Sequence, residues 1–243
     1  MRAMILAAGL GTRLRPLTDH RPKALVEIGG QTLLEITLRR LREFGIREVI
    51  VNVHHLAEMV VDYLARNHGF GMRIEVSRED ELLDTGGGLK KAAWFFLQGG
   101  NEEPFLVHNV DVLSTINFEH VLEFHHHHNA LATLAVQKRE TSRYLTFDKN
   151  GELRGRGQRS EMDTPGGAFE ALAFSGVHVI CPRMLPMMAE EGAFSIIDTY
   201  LRLAAEGEKI LAFRADNYYW RDLGKPENLE QAEKDVRQQV LQI

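Results

Sequence analysis

Strand-like and helix-like segments alternate from the N-terminus of this chain, joined by short connections. Residues 3–7 read as a buried strand running straight into a glycine-containing turn. Residues 32–44 carry apolar side chains at helical spacing (Leu34, Leu38, Leu41) and stop at Gly45. Strands are expected at 48–53, 73–77 and 105–108, and helices at 56–66, 87–97 and 118–127. The second half is more mixed. Segments 131–137, 144–147, 153–156, 171–180 and 209–213 read as strands, and 194–205 and 227–240 as helices. Asp148-Lys149-Asn150-Gly151 is a hairpin turn signal. Residues 157–168 are polar and short of apolar anchors, and are expected to form a flexible surface loop. The pattern predicts an α/β fold, a Rossmann-like and mostly parallel sheet with helices on both faces and a β-rich insertion in its later half.

Composition narrows the partners. At 243 residues and 44% hydrophobic, the chain suits a single domain, 1–243. Its one cysteine, Cys181, allows no internal disulfide; it is expected to be a buried, inert thiol in a reducing, cytoplasmic setting. A net charge of −5 argues against a nucleic-acid partner. No apolar run approaches a membrane span, and no leader segment is evident, so no membrane partner is expected. Within this acidic chain, Arg2, Arg13, Arg15, Arg21 and Lys23 read as a local positive cluster suited to a small anion. His125-His126-His127-His128 cannot converge on one metal ion, because successive helix positions point in different directions, so it reads as a solvated helix end.

The turn after the first strand is Leu6-Ala7-Ala8-Gly9-Leu10-Gly11-Thr12-Arg13-Leu14-Arg15-Pro16-Leu17-Thr18. Two glycines let the backbone approach a phosphate closely. The dinucleotide fingerprint fails because Leu14 stands at its third glycine, and the Walker pattern is absent. An arginine, then a lysine ten residues on, could neutralise a triphosphate and the charge developing during its transfer.

Leu6 to Leu25, including Pro22-Lys23-Ala24-Leu25, resembles without a gap the signature of the sugar 1-phosphate nucleotidyltransferases, the NDP-sugar pyrophosphorylases. The resemblance places phosphate binding on Ala7, Ala8, Gly9, Gly11 and Thr12, and charge stabilisation of the reacting phosphates on Arg13 and Lys23; Arg15 fits the surface equally well. It implies an NTP-binding half over about 1–115 and a sugar-binding half over about 116–243. Asp84-Thr85-Gly86-Gly87-Gly88 lies where the family reads the base, and three glycines opening a helix would expose backbone groups beside a flat ring. His108-Asn109-Val110-Asp111 ends a buried strand, where open α/β sheets place ligands. The family has glycine where this chain has Val110, and Asp111 would hold Mg²⁺. Tyr219-Trp220-Arg221-Asp222-Leu223-Gly224 resembles the family's late block, with Asp222 as the second metal ligand. Phe174-Ser175-Gly176 puts a glycine inside a strand, a mark of close ligand approach, here beside the sugar.

The resemblance implies attack by a sugar 1-phosphate on the α-phosphorus of an NTP, giving an NDP-sugar and pyrophosphate with Mg²⁺ as cofactor. The short length and Asp-Thr-Gly-Gly-Gly favour UTP with N-acetylmuramate 1-phosphate. Mannose or heptose 1-phosphate with GTP is the nearest alternative, and choline-phosphate cytidylyl transfer a remote one. A non-catalytic sugar-nucleotide-binding subunit is the rival of another class. Peptidoglycan recycling or surface polysaccharide synthesis, and a monomer or a homodimer, stay open. No hexapeptide repeats follow residue 240, so no appended β-helix is expected.

Overall fold

The computed structural model describes residues 1–100, 102–157 and 169–240. In chain order the elements are β1 (Arg2–Leu6), β2 (Glu27–Ile28), β3 (Gln31–Thr32), α1 (Leu33–Glu43), β4 (Glu48–Val53), α2 (Ala57–Arg66), β5 (Arg73–Arg78), α3 (Asp84–Lys91), α4 (Ala93–Leu97) and β6 (Phe105–Asn109). There follow β7 (Val112–Ser114), α5 (Phe118–His128), β8 (Ala132–Gln137), β9 (Tyr144–Asp148), β10 (Leu153–Gly157), β11 (Phe169–Ile180), α6 (Ile196–Ala205), β12 (Ile210–Arg214), β13 (Trp220–Asp222) and α7 (Pro226–Arg237).

Among the described residues, nine strands form one sheet, in which β10-β9-β11-β6-β1-β4-β5 lie in order and β8 joins β11 to β12. β1 pairs in parallel with β4 and with β6, and β4 in parallel with β5. Alternate residues of β1 and β4 enter different cores. Ala3, Ile5, Val49 and Val51 meet side chains of α1, α2 and α5, whereas Met4 and Ile50 meet those of α3, α4 and α6. A strand buried on both faces is mostly apolar, which is why these runs lack polar alternation, and the one buried polar side chain, Asn52 of β4, is hydrogen-bonded. The chain leaves β1 toward β4 and β5, then returns to place β6 on the other side of β1. The strand order therefore reverses between β1 and β6, and a crevice opens there at the carboxyl ends of the strands.

Local signals account for several boundaries. Thr32 caps α1 by accepting the Glu35 N–H at 3.0 Å. Asn117 caps α5 through the His120 N–H at 3.1 Å, and Asn129 ends that helix in a left-handed conformation. The turn at Asp148 joins β9 to β10, with Gly151 at φ 76 donating to the Asp148 carbonyl.

Some expectations need correction. The helix expected to open at Gly87 starts at Asp84 and breaks at Ala92 into α3 and α4, so the glycines lie within its first turns. Cys181 is half-exposed rather than buried. The histidine run is not wholly solvated, since His125 is 2% exposed and its Nδ1 lies 3.0 Å from the Thr133 hydroxyl. Arg2 stands at the opposite end of β1 from the glycine turn and pairs with Glu48, while Arg21 pairs with Glu27. The five basic residues therefore form no single cluster. Of the expected loop at 157–168, Gly157 ends β10 and the remainder lies outside the described residues.

Candidate active site

The turn after β1 is built around positive-φ Gly11. At φ 65, a Cβ there would meet Thr18 Cγ2 at 2.9 Å and Lys23 Cβ at 3.2 Å, so a side chain is excluded by conformation and by space. The Thr18 hydroxyl donates to the Gly11 carbonyl at 2.8 Å. Leu14, the residue that broke the dinucleotide fingerprint, is 2% exposed and anchors the turn in the core. Ala7 and Ala8 are buried, whereas Gly9 and Thr12 are exposed and a Cβ at Gly9 would meet nothing within 4 Å. The start of the turn is braced from below. The Ala7 N–H donates to Asn52 Oδ1 at 2.7 Å, and Asn52 Nδ2 donates to Glu79 Oε1 at 2.7 Å.

The two basic residues of the turn meet the two aspartates that the sequence singles out. Lys23, 8% exposed, forms a close ion pair with Asp111 at the end of β6. Arg13 Nη2 lies 3.9 Å from Asp222 Oδ2. β13 pairs antiparallel with β7, and the Leu223 N–H donates to the Asp111 carbonyl at 2.7 Å, which brings the aspartates side by side. Gly224 sits at their junction. Its N–H donates to Asp222 Oδ1 at 2.7 Å, and a Cβ there would press on Arg13 Nη2, Asp222 Oδ1 and Lys23 Nζ. Val110, in place of glycine, points into the core at 5% exposure and its N–H pairs with the Leu6 carbonyl, so it leaves the Asp111 carboxylate free to face outward.

Asn109, Asp111, Gly176 and Asp222 line a cavity of about 810 Å³, together with Trp220, Arg139 and residues of β9 and β11. Gly176 has φ 71, and a Cβ would meet Asn109 Nδ2 at 2.8 Å and Val112 Cγ2 at 2.9 Å. It lies where β11 slips register against β8, between Phe174 and His178, and this bulge shapes the cavity wall. Arg13, Lys23, Gly9 and Gly11 stand outside the cavity and meet it only through the aspartates.

The glycine triplet has a different geometry from the one its composition suggests. The Gly86 and Gly87 N–H groups both point at the Phe194 carbonyl, at 2.9 and 3.3 Å. A Cβ at Gly86 would collide with the Phe194 ring, at Gly87 with the Gly192 carbonyl, and at Gly88 with Asn52 Nδ2 and Glu79 Oε1 at 2.7 Å. These residues are buried and let α3 close on its neighbours, so they do not present free backbone donors. Gly87→Ala should cost about 1–3 kcal/mol by overpacking against backbone that cannot retreat. That corresponds to a fall in Tm of roughly 2–12 °C in a chain of this size. Scanning calorimetry checks it, and an unchanged Tm would refute the packing role.

Arg139, Trp220, Gly224 and the Asn52–Glu79 brace escape sequence reasoning as site residues. Gly224 stands in a block with a detectable signature; Arg139 carries no local signal. Arg139 lies 3.6 Å from the Trp220 ring centroid and donates to the Phe174 carbonyl at 2.7 Å. Burial lowers its pKa, and the nearby Asp222 charge acts in the opposite direction.

The Asp111 and Asp222 carboxylates keep contact with solvent, with side-chain exposures of 22% and 35%. Two carboxylates with open faces suit a hard divalent cation whose remaining ligands are phosphate oxygens and water. Among the described residues, no group of three or more acidic, histidine or cysteine side chains could hold a metal on its own.

A sequence profile described as nucleotidyl transferase matches residues 2–239. The chain is 33% identical over 236 residues to the N-acetylmuramate alpha-1-phosphate uridylyltransferase of Caulobacter vibrioides, covering 93% of this chain and 92% of that protein. It is 32% identical over 236 residues to the catalytic subunit beta of mannose-1-phosphate guanylyltransferase from Danio rerio, covering 94% of this chain but only 62% of that one. The crystal structure of HddC from Yersinia pseudotuberculosis, complexed with GMP-PN, shares the fold at a TM-score of 0.75 and 20% identity, covering 97% of this chain and 99% of that one. The chain belongs to the nucleotidyl transferase family, and within it to the sugar 1-phosphate nucleotidyltransferases that its first 25 residues resemble.

Proposed function

We propose that this enzyme transfers a uridylyl group from UTP to N-acetylmuramate 1-phosphate, with Mg²⁺ bound between Asp111 and Asp222. The observation that carries the reaction class is the convergence of Arg13 and Lys23, from the turn after β1, on Asp222 and Asp111 at the cavity rim. A phosphate oxygen of the sugar 1-phosphate attacks the α-phosphorus, the bond from that phosphorus to the bridging oxygen breaks, and pyrophosphate leaves. The attacking oxygen is already anionic, so no general base is required. Catalysis then rests on alignment and charge neutralisation. Arg13, exposed and only loosely paired with Asp222, can turn to the leaving pyrophosphate. Lys23, nearly buried, stays fixed and presents its ammonium to the phosphates while orienting Asp111. The bound ion would neutralise phosphate oxygens and hold the two substrates in line. The cavity beyond the aspartates has room for the sugar.

The choice of uridylyl transfer to N-acetylmuramate 1-phosphate is supported by the relative of matching length. Guanylyl transfer to mannose 1-phosphate is the second reading, supported by relatives of similar identity that are longer than this chain. The test is pyrophosphate release with each of four NTPs against N-acetylmuramate, mannose, heptose and glucose 1-phosphates, with and without Mg²⁺. The expected result is fastest release with UTP and N-acetylmuramate 1-phosphate and none without the metal ion. Preference for GTP with mannose 1-phosphate would overturn the substrate assignment. No release with any pair would overturn catalysis and favour a sugar-nucleotide-binding subunit.

A further inference from the structure

The proposed transfer leaves unused the three arginines that line the cavity, Arg139, Arg143 and Arg156; Arg143 is exposed, whereas Arg139 is half-buried. Arg139 is held against the Trp220 ring, and that ring is itself fixed because its Nε1 donates to the Ser175 carbonyl at 2.8 Å. The Phe174 carbonyl takes one of the five guanidinium donors, and Nε is buried with no hydrogen-bond partner. Among the described residues no carboxylate lies within ion-pair distance of it. Arg156, on the same cavity, is by contrast paired with Asp198 at 2.7 Å. A rigid, partly desolvated guanidinium with open donors is a receptor for a planar anion.

We infer that Arg139, stacked on Trp220, is a specificity determinant that binds a carboxylate carried on the sugar ring of the acceptor. Position separates this role from phosphate binding. Trp220 and Asp222 lie two residues apart on β13, so their side chains share a face and stand about 6.8 Å apart along it. With the anomeric phosphate at Asp111, Asp222, Arg13 and Lys23, the sugar ring extends toward Trp220, and Arg139 meets a substituent on its far carbons. Arg13 and Lys23 already serve the phosphates. A neutral hexose would leave the Arg139 donors unmatched, whereas the lactyl carboxylate of an N-acetylmuramate acceptor would satisfy them. This inference rests on the acceptor named above.

The test compares wild type with Arg139→Gln and Arg139→Lys on N-acetylmuramate 1-phosphate and on N-acetylglucosamine 1-phosphate, which has the same ring with a hydroxyl in place of the lactyl ether. For the latter, KM is measured, or the inhibition constant if it is not turned over. Arg139→Gln should raise KM for N-acetylmuramate 1-phosphate about 10- to 100-fold relative to that for N-acetylglucosamine 1-phosphate, the loss expected for one charged hydrogen-bonded contact. Its kcat should move little. Arg139→Lys, which keeps the charge but not the planar fork, should lose part of that preference and guards against a glutamine variant that fails to fold. Equal weakening of both acceptors, as a phosphate-binding or structural arginine would give, overturns the inference, as does an unchanged ratio. Wild type that fails to use N-acetylmuramate 1-phosphate at all would overturn the substrate assignment and this inference together; an unchanged ratio in an enzyme that does use it overturns this inference alone.

Discussion

Asp222→Asn should reduce pyrophosphate release by roughly 10³-fold or more, the upper range for loss of one preorganised charged group at a reacting phosphate. The fold should persist. Asp222 is 35% exposed at its side chain, and the asparagine Oδ1 can still accept the Gly224 N–H that closes the local turn. Asp111→Ala should show a comparable kinetic loss with a different structural cost. It strips Lys23, 8% exposed, of its counter-ion. Because Asp111 keeps contact with solvent, the destabilisation should fall below the about 3–5 kcal/mol of a fully buried pair. The two variants together separate chemistry from folding: Asp222→Asn loses turnover with an unchanged urea midpoint, and Asp111→Ala loses both. An Asp222→Asn enzyme with wild-type rate and an unaltered response to Mg²⁺ would remove Asp222 from the proposed site.

Acid should begin to destabilise this protein below about pH 6.5, before most carboxylates titrate. Three histidines are held neutral in the fold. Burial pushes His178 down to about 3, with the neighbouring His108 adding to the effect. Burial, then the Arg40 charge, pushes His108 down to about 4. Burial, then His126, does the same to His125, also about 4. Each would titrate near 6.5 when unfolded. The unfolded chain therefore takes up protons below pH 6.5 that the native state refuses. The stability contributed by these groups is full above pH 6.5 and is lost progressively as pH falls toward 4 for His108 and His125, and toward 3 for His178. The limiting slope is about 1.4 kcal/mol per pH unit for each histidine. The measurement is the urea midpoint from pH 8 to pH 4. His125→Gln isolates one term at a site remote from the aspartates, since glutamine can still bond the Thr133 hydroxyl without titrating. Its slope should be shallower than wild type by up to one proton. Identical slopes would show that His125 is protonated in the native state.

How much of the fold shows in the sequence depends on how many residues share one environment. β1, β4 and β6 are buried on both faces, and their largely apolar runs predict them to within a residue. α1 and its Thr32 cap are equally plain. β2, β3, β7 and β13 are only two or three residues long and carry no periodicity, yet β13 and β7 place Asp222 beside Asp111. The glycine triplet is visible as glycine and misread as free backbone, because the atoms that fill its missing side chains come from Phe194, Gly192, Asn52 and Glu79 elsewhere in the chain. The histidine run reads as a polar helix end because nothing within it says that position 125 faces the core across from Thr133.

The residues of the glycine turn after β1 were determined by the sequence alone. A left-handed Gly11, a basic pair at Arg13 and Lys23, and a strand leading into them are local properties, set by backbone sterics and side-chain chemistry within 25 residues. Tertiary structure decided which acid each base meets, that Arg2 and Arg21 are spent elsewhere, and that Arg139 faces the cavity from a stack on Trp220. Those facts depend on the sheet order that sets β6 beside β1 and on the short β13–β7 pair, contacts between residues far apart in the chain that no local pattern encodes.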